Sequence, residues 1–179
     1  MPQFRSLPVT DALAHELLTE YFSYRAETFP TPSGYVTTFP TPEQFTEPRG
    51  VFLVIETNPE PAAGPGRDAK PTVASEASAV DAQSQATALG CGGIRQLEPG
   101  RFEVKHLWVR PEGRGAGLGR QLLSELERRA RAWGATELVL DTNESLAAAG
   151  GLYRSSGFEP CEPYNDNSNA TTWYLKTLR

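Results

Sequence analysis

Apolar and polar residues fall into three kinds of pattern along this chain. Behind Thr10 and Asp11, Leu13, Leu17, Leu18 and Tyr21 recur at helical spacing, which predicts an amphipathic helix to about Ala26. The proline-rich stretches FPTPSGYVTTFPTPEQF and EPRG then read as loop, with a short helical turn at 42–45. VFLVIE, residues 51–56, is apolar without alternation, as in a strand covered on both faces. ALGCGGIRQL reads as the next strand, and EPG at 98–100 as a hairpin turn. In the following strand, RFEVKHLWV, the phase slips: Phe102 and Val104 are apolar at even positions, Leu107 and Val109 at odd ones. Side chains alternate strictly along a strand, so the slip predicts a β-bulge near 105–107, unless the strand end is buried on both faces.

Leu118, Leu122, Leu123, Leu126, Ala130 and Trp133 form one apolar helical face, closed by Gly134. Glu125 with Arg129 and Glu127 with Arg131 are supporting i,i+4 pairs expected at exposed positions. ELVLD, 137–141, is a short buried strand, so strand, helix and strand make a parallel crossover. A second helix is expected over about 144–155, ending at Gly157, and the tail with TTWYLKTL completes an edge hairpin.

One segment has neither period. Residues 57–87 contain only Val73 and Val80 as large apolar residues and cannot bury enough surface to offset the entropy of ordering. They are expected to be a flexible surface insertion joining two strands of one sheet, within a single domain spanning 1–179. The chain length of 179 residues fits one domain with a real core. A net charge of −5 argues against a nucleic-acid partner and weakly favours a cationic or amine substrate. Cys91 and Cys161 make no disulfide framework and match no zinc spacing, so no metal is expected. No basic-then-apolar leader is seen at the start, and the longest apolar run is far too short to span a membrane. A cytoplasmic protein is the expectation.

The chemistry concentrates in RGAGLG, residues 114–119, at the head of a helix. A helix amino terminus offers free N–H groups and partial positive charge, and glycines before it let a ligand approach the backbone. Phosphates are the expected guests. The dinucleotide fingerprint fails, because Arg120 stands where its third glycine belongs, and no Lys-Ser or Lys-Thr closes a P-loop. R-x-x-G-x-G fits, as Arg114, Gly117 and Gly119.

LWVRPEGRGAGLGRQLLSELE resembles the acetyl-CoA-binding motif of the GNAT N-acetyltransferase superfamily, and DTNESLAAAGGLYRSSGFEP resembles that family's next motif, with Tyr153 four residues before Gly157-Phe158. PYNDN, 163–167, is similar to a subset of bacterial small-molecule members. The resemblance implies an α/β fold: a mixed, mostly antiparallel twisted sheet with a central parallel βαβ pair and helices on both faces. It implies acetyl transfer from acetyl-CoA, without a metal, to a primary amine, with a small molecule favoured. Backbone N–H groups of Arg114, Gly115, Ala116, Gly117, Leu118 and Gly119 would cradle the pyrophosphate. The strand at Leu107, Trp108 and Val109 would pair with the pantetheine amides, and the N–H of Trp108 or Val109 would polarise the thioester carbonyl. Many members carry an Asn seven residues before the tyrosine; Leu146 stands there, and Asn143 is the nearest substitute.

An amine attacks only when neutral, and a lysine-like amine has a pKa of ~10.4 in water. The resemblance makes Glu103 the first candidate base, since it lies eleven residues before Arg114, where several family members place an acidic residue; His106 is the second if the bulge turns it into the cleft. The alternatives are an exposed strand carboxylate and a packed histidine. Tyr153 has the chemistry and family position to meet the departing thiolate, against the plain alternative of a core aromatic. Tyr164, Asn165 and Asp166 line either the acceptor mouth or a polar loop, and Trp173 packs at the core or rim. Three rival readings stay open: a non-catalytic acyl-CoA-binding or regulatory protein, a protein or peptide amine acetyltransferase, and a nucleotide-binding module. Dimers are common in the family, which leaves a homodimer open.

Overall fold

A computed structural model describes residues 2–31, 34–57 and 86–179. Strands β1 (Gln3–Ser6), β2 (Gly50–Thr57), β3 (Thr87–Glu98), β4 (Arg101–Val109), β5 (Glu137–Thr142), β6 (Glu159–Cys161) and β7 (Thr172–Thr177) form one sheet in the order β1-β2-β3-β4-β5-β7-β6. Only β4 and β5 run parallel. Helices α1 (Ala12–Thr28), α2 (Leu118–Ala132) and α3 (Ala147–Ser155) complete the fold, with 3-10 turns at Pro42–Phe45 and Pro111–Gly113.

The unbroken apolar run of β2 has a simple cause. Val51, Leu53 and Ile55 point into the core that α2 covers, while Phe52 and Val54 point into the core under α1. Both faces are therefore dry, and each such side chain contributes about 1.5–3 kcal/mol by leaving water. Asp11 starts α1, its Oδ1 accepting from the Leu13 N–H at 2.9 Å, a cap worth about 1 kcal/mol. In α2, the expected apolar residues from Leu118 to Ala130 are buried, and Gly134 takes φ +84° just past the end. Among the described residues, no helix is long and apolar enough to cross a membrane.

The phase slip in β4 is a bulge. Lys105 lies opposite Gly93 and Trp108 opposite Cys91, so one extra residue is inserted, and His106 takes φ +55°. As a result Phe102, Val104, Leu107 and Val109 all face α2, while Trp108 faces α1. β4 pairs with β5 only through Arg101, Glu103 and the residue between them. Beyond that point β5 continues against β7 and leaves the edge of β4 open.

Four details depart from the sequence reading. β1 was not legible, being four residues of mixed polarity. α3 begins at Ala147 rather than near 144, because the Asn143 side chain accepts from Ser145 N–H and its carbonyl from Leu146 N–H, making a turn first. In the terminal hairpin, β6 holds the edge and β7, carrying TWYLKT, lies inside against β5. Glu127 is not exposed: it is buried between Arg131 at 2.7 Å and Lys176 of β7 at 2.6 Å. The insertion expected at 57–87 lies outside the described residues except at its ends, where Thr57 pairs with Thr87.

Candidate active site

The open edge of β4, the head of α2 and the start of α3 enclose a cavity of about 820 Å³. Gly115 and Gly117 border it with φ +82° and +74°, the left-handed region that glycine enters without strain. No described group accepts a hydrogen bond from the amides of residues 115–120. Helix ends ordinarily leave such donors to caps, water or ligands, and here the helix has no side-chain cap. Six consecutive unclaimed amides beside a cavity fit the phosphates of a coenzyme A thioester.

The strand edge fits the rest of such a ligand. Arg110 N–H bonds Leu89 O, which directs Arg110 and Trp108 toward β3. Hydrogen-bonding groups alternate along a strand, so Leu107 and Val109 present theirs to the opening. Of the two N–H donors considered for the thioester carbonyl, Val109 is therefore the one on the open edge. One further expectation changes. The Arg114 N–H is already bonded to Pro111 O, and its guanidinium turns back, Nε to Val109 O at 3.0 Å and over the Tyr24 ring at 5.0 Å. Ala116 does not line the cavity, but its backbone N–H, the group expected to take part, is unclaimed among the described residues.

A second cavity, about 390 Å³, lies between α1, the loop at 35–41, β4, β5 and the loop at 165–170. The two share Tyr21, Arg25, Leu107, Leu146 and Ala149. Asn143 lines the second rather than the first, with its amide donating to Asn169 O at 3.1 Å. Asn169 in turn clasps Val36 by both backbone groups, at 2.9 and 2.8 Å, joining the two loops over the cavity.

Glu103 is neither exposed nor on a cavity wall. It is fully buried, accepting from Arg95 at 2.7 Å, the Tyr164 hydroxyl at 2.9 Å and Lys105 at 3.4 Å. The carboxylate that does line the second cavity is Asp141, bonded to Lys105 at 3.2 Å and Asn165 at 2.7 Å. Burial opposes its charge, but Lys105, Asn165 and Asn167 outweigh burial and hold the carboxyl below the usual aspartate value. Trp173 Nε1 orients Asn165 at 2.9 Å. Asn165 thus lines the cavity, Tyr164 reaches past it to Glu103, and Asp166 is exposed.

His106 is turned into the second cavity by the bulge, edge-on to Tyr21 and Phe22. Its basicity does not suit the role proposed for it: burial, with Lys105 and Arg95 nearby, pushes its pKa down to about 3. The unfolded chain takes up that proton near pH 6.5, so stability should fall as pH drops from 6.5 toward 3. A loss of about 2 kcal/mol between pH 6.5 and 4.5 is expected from this residue. His106→Asn, which tolerates positive φ, should flatten that part of the profile in urea titrations. Parallel profiles would contradict the assignment.

Tyr153 lines the second cavity from α3, and no hydrogen bond ties its hydroxyl to another described residue. Burial raises its pKa, Asp141 adding to the effect and Arg25 opposing it. It is a neutral O–H at physiological pH. Among the described residues no cluster of His, Cys, Asp or Glu could hold a metal ion.

Comparison with known proteins agrees with this geometry. The model of the acetyltransferase (GNAT) family matches residues 65–158, more than half of the chain. The chain is 41% identical over 91 residues to an uncharacterised N-acetyltransferase of Schizosaccharomyces pombe, covering 50% of this chain and 56% of that one. It is 40% identical over 84 residues to an IAA acetyltransferase of Azospirillum brasilense, 46% and 55% of the two chains. It thus spans about half the length of the curated relatives it matches. A GNAT-family acetyltransferase structure from Staphylococcus aureus Mu50 superposes with TM-score 0.70 at 14% identity, covering 100% of both chains, a likeness of fold. The sequence match across the glycine-headed helix and the seven-stranded sheet with its single parallel pair place this chain in the GNAT acetyltransferase family.

Proposed function

We propose that the protein transfers an acetyl group from acetyl-CoA to the primary amine of a small molecule. The observation that carries this reading is the meeting of six unclaimed amides and an open strand edge at one cavity, which adjoins a second, polar one. Residues 115–120 would hold the diphosphate, and the edge at Leu107 and Val109 the amide-bearing arm. The bound thioester supplies an activated acetyl carbon. Val109 N–H, on the open edge, is placed to donate to the carbonyl oxygen as charge develops there. Asp141 attracts the acceptor ammonium, and the proton leaves it through solvent in the polar cavity. Glu103 acts from behind, fixing Tyr164, Arg95 and Lys105 and through Lys105 the position of Asp141.

Tyr153 donates a hydrogen bond to the departing thiolate. Its raised pKa lies above that of an ordinary thiol, ~8.5, so a shared proton rather than full transfer is the expected chemistry. Two free cysteines among the described residues suit a reducing, cytoplasmic setting.

The reading is tested by following CoA release from acetyl-CoA across a broad panel of amines, including lysine-containing peptides and small polar amines. Saturable turnover with a small amine is expected. Tight acetyl-CoA binding without turnover on any amine would instead identify an acyl-CoA-binding regulator, and turnover on peptides alone would move the acceptor to protein amino groups.

A further inference from the structure

Among the described residues, Arg25 is a buried charge without an ion-pair partner. It lies in the last turn of α1, on the apolar stripe that continues from Leu18 and Phe22, and only 3% of it is exposed. Its Nη1 is buried and has no hydrogen-bond partner among the described residues. None of the ion pairs among those residues includes it. The rings of Tyr35 and Phe29 lie 5.2 and 5.8 Å from the guanidinium carbon, a partial compensation at best for a buried charge. Yet Arg25 lines both cavities at the place where they adjoin. A guanidinium held this way is shaped for a planar anion arriving from outside, and its paired N–H donors match a carboxylate.

The diphosphate already has its own donors in the amides of 115–120. The anion for Arg25 therefore belongs to the acceptor. The polar cavity supplies the complement: Asp141 brings a negative charge to its wall, and both Asp141 and Arg25 act on the Tyr153 hydroxyl with opposite sign. Tyr21, Phe22, Tyr35 and Phe39 add aromatic rings to a lining that is otherwise mostly polar, with Arg95 and with Lys105, the latter already paired with Asp141. We propose that Arg25 receives a carboxylate of the acceptor, so that the acceptor is a free amino acid or a close relative carrying both an amine and an acid. This rests on the acetyl-transfer reading for the role of the amine, whereas the carboxylate site stands on Arg25 itself.

The test uses the full chain saturated with CoA and three calorimetric probes: L-phenylalanine, 3-phenylpropionate and L-phenylalaninamide. Both acids should bind, and the amide should bind at least tenfold more weakly. Charged hydrogen bonds of about 1.5–3 kcal/mol correspond to roughly ten- to a hundredfold in affinity, so Arg25→Gln should weaken the two acids by that factor. It should leave the amide and CoA unchanged. Arg25→Met, which removes an uncompensated buried charge, should raise the melting temperature of the ligand-free protein. Failure of the acids to bind, equal binding of the amide, or a loss in Arg25→Gln that falls on CoA instead of the acids would overturn the proposal. A lowered melting temperature in Arg25→Met would do the same, marking Arg25 as a structural residue. If Arg25-dependent acid binding holds while no amine is acetylated, the carboxylate site stands and the acetyl-transfer reading falls.

Discussion

Gly117→Glu should lose acetyl-CoA binding by more than a hundredfold. Two physical effects add. Gly117 takes φ +74° as the residue that caps α2, and an L side chain in that region costs about 1–2 kcal/mol. A carboxylate then stands among the unclaimed amides of 115–120, where it competes with a diphosphate for the same donors and repels it. Space is not the obstacle, since an added Cβ would meet only the Gln121 side-chain amide, at 3.8 Å. Gly117→Asn separates the two effects: asparagine enters the left-handed region readily and brings no charge, so it should keep binding within about tenfold, by the same conformational estimate. Titration calorimetry with acetyl-CoA reads both variants. Equal affinity for Gly117→Glu and the parent would mean the diphosphate lies elsewhere.

Tyr153→Phe should lower kcat by about a hundredfold, the lower range for a positioned proton donor, while acetyl-CoA binds as before. Tyr153 lines the cavity and no hydrogen bond ties its hydroxyl to another described residue, so its loss leaves no described partner unsatisfied, and the ring contacts with Phe158 and Tyr174 at 6.0 Å survive in phenylalanine. Stability should therefore hold and the effect appear in turnover alone. An unchanged kcat would reduce Tyr153 to a packing residue.

What the sequence disclosed, and what it hid, follows from the range of the interactions involved. The bulge was legible because it shifts the phase of apolar residues within nine positions, Phe102 and Val104 against Leu107 and Val109. The glycine-headed helix was legible because left-handed φ and an apolar stripe are local demands. The partners of Glu103 were not, because Arg95, Tyr164 and Asn165 come from a neighbouring strand and a loop some sixty residues on. Asp141 leaves a local trace: in β5 it falls on the face opposite Leu138 and Leu140, which both point toward α2. Arg25 left a plainer one, since a charge three and four residues beyond Phe22 and Tyr21 falls on the buried stripe of an amphipathic helix. A charge placed there needs a partner, and the composition of a helix does not reveal that none of the other described residues pairs with it.

The central claim is that the head of α2 and the open edge of β4 together hold coenzyme A. A crystal structure of the protein grown with CoA tests it most directly. The predicted result is the diphosphate within hydrogen-bonding distance of the amides of 115–120, with the pantetheine arm along Leu107 and Val109. Coenzyme A bound at another surface, or that cavity filled by the protein's own side chains in the presence of saturating ligand, would contradict it.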